Sequence, residues 1–152
     1  TPLFYAACNG HADVASILVA NGAKTFVSGT KTDTLLIAAA GSGSTETVQF
    51  FLDHGSKIEG DNEYGDTALI RAASKGDTAI AKLLVTHKAN VNATNAKGET
   101  PLMWAARSGS TGVVKVLVSS GAKVGAKDSE GNSALDWAKK ANQKDVINLL
   151  TR

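Results

Sequence analysis

The chain is sparing with several residue types, and each shortage excludes something. It has a single cysteine, Cys8, so it builds no internal disulfide framework and no cysteine-based zinc site. Neither sign of charge prevails: 16 Lys and Arg face 14 Asp and Glu, a formal net charge of +2 over 152 residues. That balance lacks the basic footprint of a nucleic-acid binder, and no run of like charge forms a tail. No apolar stretch approaches the roughly 18 residues that cross a bilayer, and no signal-peptide pattern opens the chain. Nucleic-acid binding and membrane insertion are therefore not expected.

Catalytic signatures are missing too. There is no nucleophile-elbow G-x-S-x-G and no H-E-x-x-H. The stretch "AAAGSGST" at 38–45 has the glycines of a phosphate loop without its lysine. Only three histidines occur. His11 stands where a second helix begins, and a structural hydrogen bond is expected of it. His54 and His87 share one place in consecutive units with no third metal ligand in sight. Cys8 follows Ala7 without a basic neighbour and reads as a small, partly buried thiol rather than a nucleophile. No enzyme, no cofactor and no metal are expected.

What the chain has is repetition. "TPLFYAACNG", "TLLIAAAGSG", "TALIRAASKG", "TPLMWAARSG" and "SALDWAKKAN" begin at residues 1, 34, 67, 100 and 133, a constant step of 33. Thr1, Thr34, Thr67, Thr100 and Ser133 are good helix N-caps. Pro2 and Pro101 follow two of them, where a missing N–H does no harm. Leu3, Leu36, Leu69, Leu102 and Leu135 share a helical face with Ala6, Ala39, Ala72, Ala105 and Ala138. Gly10, Gly43, Gly76 and Gly109 are expected to close this short helix in a left-handed turn, with Asn142 in that place in the fifth unit.

A second helix follows in each unit, for example "TAIAKLLVTHK". Ile80, Leu83 and Leu84 recur at its apolar spacing, as do Val14, Ile17 and Leu18. Gly22, Gly55 and Gly121 end three of these helices, whereas Lys88 holds that place in the third unit. Turn-rich segments such as "NATNAKGE" and "GAKDSEGN" then read as tight hairpins, with Gly65, Gly98 and Gly131 at one shared position. The first such link, residues 26–33, departs: Thr32 replaces the glycine, and a distorted hairpin is expected there.

These residues carry a resemblance. A unit with T-P-L-x-x-A-A-x-x-G, an apolar second helix and a D/N-x-x-G hairpin resembles the ankyrin repeat, and the likeness covers the whole chain. Four departures stand out. Phe4, Ile37, Ile70, Met103 and Asp136 replace the family's histidine, and Lys24, Lys57, Asn90 and Lys123 replace its aspartate. Proline is absent from three units, and the first hairpin is irregular. The resemblance implies an all-α solenoid of stacked helix-turn-helix units with β-hairpin or loop fingers. It implies one domain over 1–152, with repeats near 1–33, 34–66, 67–99 and 100–132 and a C-terminal cap at 133–152. The fifth unit's polar residues suit a cap. The first unit resembles an interior one, so further repeats or another domain are expected upstream of Thr1.

By the same resemblance, the inner helices and finger tips line a concave face that binds a partner protein or peptide. Tyr5, Ala38, Arg71, Trp104 and Trp137 come two residues after each leucine, opposite the core alanine, with Lys75 and Arg107 beside them. Tyr64 tips a finger, and Asp66, Lys97 and Glu99 form a mixed-sign rim. Trp, Tyr and Arg dominate binding hot spots. Trp104 and Trp137 equally suit a floor in which they pack on each other. The expected function is a non-enzymatic interaction module, acting as a monomer. The alternative is a regulatory or targeting segment of a larger enzyme or membrane protein. The partner and compartment stay open, with the cytoplasm favoured.

Overall fold

The computed structural model describes residues 1–25 and 34–152. The irregular link at 26–33 and the Thr34 side chain lie outside the described residues. Among these, ten helices run in pairs: α1 (Pro2–Cys8) and α2 (Ala12–Ala20), α3 (Thr34–Ala40) and α4 (Thr45–Asp53), α5 (Ala68–Lys75) and α6 (Thr78–Thr86), α7 (Pro101–Ser108) and α8 (Thr111–Ser119), α9 (Ala134–Lys140) and α10 (Lys144–Leu150). The first helices of the pairs stack on one another from α1 through α9, and the second helices stack behind them from α2 to α10. Among the described residues, no helix is long and apolar enough to cross a membrane.

Local chemistry sets each boundary. The hydroxyls of Thr1, Thr67, Thr100 and Ser133 accept from the backbone N–H three residues on, at 3.2–3.3 Å. Gly10, Gly43, Gly76 and Gly109 have φ between 70° and 84° and close the first helix of their units, as does Asn142 at 55°. Ser44, Asp77 and Ser110 cap the second helices through their side chains. His11 does not: it stands at the N-cap of α2, but its ring makes no capping hydrogen bond. The hydrogen bond expected of it is therefore corrected. An imidazole sits farther from the backbone than a Ser or Asp oxygen and does not fold back onto the first turn.

The core is one continuous seam. Leu3, Leu36, Leu69 and Leu102 and all five alanines of the motif are buried, each at most 4% exposed. Only Leu135, in the last unit, is half-exposed. Small alanines let neighbouring helices approach, while Phe51, Leu84 and Leu117 fill the space between the layers. The two ends differ. Thr47, Ile80, Val113 and Val146 are fully buried by the unit before them, whereas the equivalent Val14 is 42% exposed and Ile17 64%. At the other end the exposed positions are polar: Lys139, Lys140, Lys144 and Asn148.

The fingers are loops. Among the described residues there is no strand, only an isolated antiparallel bridge between Asp61 and Thr67. Each described finger closes on two backbone bonds: Asn62, Asn95 and Asp128 N–H donate to the carbonyls of Asp66, Glu99 and Asn132, and their own carbonyls accept in turn from Gly65, Gly98 and Gly131 N–H. Gly65, Gly98 and Gly131 turn it with φ of 72–81°. Neighbouring fingers join tip to tip: Ala96 N–H donates to the Tyr64 carbonyl at 3.0 Å, and Ser129 N–H to that of Lys97 at 2.9 Å.

Candidate functional site

The side chains that leave the stack on the finger side come from the middle and last turn of the first helices and from the finger loops. In α7 and α9, Trp104 and Trp137 stand one repeat apart and meet edge to face, ring centroids 5.3 Å apart at 68°. Both are half-buried. Arg107, in the last turn of α7, lies over the pair, its guanidinium carbon 5.4 Å from one ring centre and 5.8 Å from the other. The tryptophans therefore form a floor and Arg107 covers it.

The two indoles differ in one respect. Trp137 Nε1–H donates to Asp128 Oδ2 at 2.8 Å. Trp104 Nε1–H is buried and has no acceptor. Asn95 occupies, one repeat earlier, the place of Asp128. Its Oδ1 accepts from the N–H groups of Lys97 and Glu99, as Asp128 Oδ1 does from Glu130 and Asn132. Its second atom is an NH2 group, which donates to Asp66 at 2.9 Å and Glu99 at 2.7 Å. An amide presents a donor where an acid would offer Trp104 an acceptor.

Two carboxyls on this side are tuned. Partial desolvation raises the Asp128 pKa. The hydrogen bonds from Asn132, Trp137 and Glu130 outweigh it and hold the group below its ordinary value. Asp136 Oδ2 accepts from the Ser133 hydroxyl and N–H at 2.6 and 2.8 Å and from Lys127 at 3.3 Å, and its pKa lies well below the usual carboxylate range.

A cavity of about 510 Å³ opens between the last finger and α9, lined by Lys97, Glu99, Arg107, Asp128, Trp137 and Lys140 among others. It brings together four of the residues expected from sequence: Lys97, Glu99, Arg107 and Trp137. Trp104 joins them by ring contact, and Asp66 by sharing Asn95 with Glu99. Tyr64 and Arg71 are exposed further along the same row, as is Lys75. Arg71 lies across the end of α3: a side chain at Gly41 would bring a Cβ within 2.8 Å of its Nε. Tyr5 is 69% exposed in the first unit, beside Phe4 rather than the other candidates.

Sequence reasoning missed Asn95, Asp128, Asn132 and Lys140. The available signal was the Asn or Asp three residues before each finger glycine. Its side chain both closes the loop and faces the helix row. Cys8 is exposed, which corrects the partly buried thiol; it ends a short helix on the open side of α1. His54 and His87 each place Nδ1 within hydrogen-bond range of the carbonyl four residues back, and His54 stacks on Phe50.

A family model described as ankyrin repeats (3 copies) matches residues 3–95 and again residues 79–152. No curated protein matches the chain.

Proposed function

The chain belongs to the ankyrin-repeat family, whose repeats are generally protein–protein interaction modules, and from that premise we propose that its five 33-residue units form one non-enzymatic domain that binds a partner protein or peptide as a monomer. The bound surface is the row formed by Tyr5, Arg71, Trp104 and Trp137 with Lys75 and Arg107, flanked by the finger residues Tyr64, Asp66, Lys97 and Glu99. The observation that carries this reading is the half-buried Trp pair under Arg107 beside an open cavity, in line with the exposed Arg71 and Tyr64. Aromatic and arginine side chains held by packing lose little entropy on binding.

Affinity capture from native lysate tests it. Arg71→Ala and Tyr64→Ala alter exposed side chains, so both variants should fold normally and recover less partner. Equal recovery by both, and by Trp104→Ala, overturns this face as the binding surface.

The uncovered apolar face at Val14 and Ile17 supports a second reading. In it, further units precede these in a longer chain, and the array is its regulatory or targeting segment. An antibody raised against these residues should then detect a native protein well above 15.6 kDa. A native band at that mass overturns the second reading.

A further inference from the structure

We propose that the cavity beside Trp137 receives an acidic side chain of the partner, held bidentate by Arg107; this rests on reading the surrounding row as a protein-binding surface. The cavity's formal charges balance, with Lys97, Arg107 and Lys140 against Glu99, Asp128 and Glu130. Hydrogen-bonding capacity does not. Asp128 already accepts from the Trp137 indole and from Asn132, and Glu99 accepts from Asn95. Glu130 lies 3.4 Å from the Asn132 amide. The cations are differently placed. Lys140 donates to Asn132 at 2.8 Å. Among the described residues the Arg107 guanidinium meets no acceptor, and the sole ion pair is Lys127–Asp136. Lys97 Nζ likewise has no acceptor among the described residues.

What the cavity leaves open is therefore donors, above all the Arg107 guanidinium, whose central carbon lies 5.4 and 5.8 Å from the two indole ring centres. A guanidinium is a planar fork of N–H groups, the geometry that matches a carboxylate with two parallel bonds. Contact with the two indoles lowers the cost of ordering the side chain on binding. A cavity of about 510 Å³ accommodates an acidic side chain together with the main chain that carries it. A partner cation would meet carboxylates already engaged and tryptophan faces already covered by Arg107.

Titration of the 15N-labelled protein with short peptides at low salt tests the inference. The probes are acetyl-Gly-Glu-Glu-Glu-Gly-amide, its Lys counterpart, and pentaglycine with a free carboxyl end. The Glu peptide should move the Arg107 Nε–H and Trp137 indole signals saturably. Arg107→Gln should weaken it about tenfold, the loss of a charge-assisted bond. Arg107→Lys should weaken it too, since a point charge does not replace the fork. Lys115→Gln, on α8, should bind normally, and melting temperatures equal to that of the wild type establish that each free variant is folded. A response to the Lys peptide or to pentaglycine alone overturns the inference, as does full Glu-peptide affinity in Arg107→Gln. A partner captured through Arg71 and Tyr64 with no Glu-peptide response overturns this inference and leaves the protein-binding reading standing. A Glu-peptide response with capture insensitive to Arg71, Tyr64 and Trp104 does the reverse.

Discussion

At the scale of single residues, two positions show what their neighbours demand. Lys88 has φ 69°, where three other units have glycine at 88–90°. A side chain in that conformation costs about 1 kcal/mol. Lys88→Gly should raise stability by about that amount in urea titration; a lower midpoint would mean that the lysine side chain supplies a compensating contact. The second position is the indole pair. Trp137→Phe removes a hydrogen bond to a carboxylate, and Trp104→Phe removes only an unpaired buried N–H. The first should be the more costly by about 1 kcal/mol. Equal losses in paired denaturation curves would show that the Asp128 bond contributes nothing net. The left-handed turns were legible because few residues other than glycine and asparagine suit that conformation. The unpaired Trp104 was not, because it depends on whether an Asn offers oxygen or nitrogen to a ring one loop away.

At the scale of elements, the fingers and caps carry the specificity. A Cβ on Gly65 would lie 2.9 Å from the Ala96 backbone nitrogen, whereas one on Gly131 would meet nothing within 4 Å. Both glycines have positive φ, so Gly131→Ala should cost about 1 kcal/mol. Gly65→Ala should cost about 1–3 kcal/mol more, since the next finger's backbone must shift. Similar losses in thermal melts would contradict the tip-to-tip packing. The N-terminus of α9 adds a pH dependence. The hydrogen bonds from Ser133, then the charge of Lys127, hold Asp136 below its ordinary pKa of 3.8. The folded state therefore takes up that proton at lower pH than the unfolded chain. Its contribution is complete at neutral pH and fades as pH falls below about 4. The stability gap between wild type and Asp136→Asn should be constant from pH 5 to 7 and narrow below 4; a gap that widens in acid would reverse the assignment. In the sequence Asp136 was visible only as a departure from the family's histidine. Its place as a capping partner of Ser133 required the geometry of the first turn.

At the scale of the whole molecule, a constant 33-residue step made the architecture readable in the sequence. The same leucine and alanine fall at the same place in each unit, and the same glycine in the first four, so one unit's chemistry is repeated by the next. What the sequence left hidden lies between units: the Trp104–Trp137 contact, Asn95 linking Asp66 to Glu99, and Arg107 with free donors above the tryptophans. These depend on residues about a repeat apart meeting across a stack. The stack itself rests on one physical claim, that each unit buries its apolar face only against its neighbours. Native-state amide hydrogen exchange on Leu69→Ala tests that claim most directly. Truncating this buried leucine should cost about 2–5 kcal/mol. The account predicts that protection falls in α3, α4, α7 and α8 as well as in α5 and α6. Loss of protection confined to residues 67–99 would contradict it.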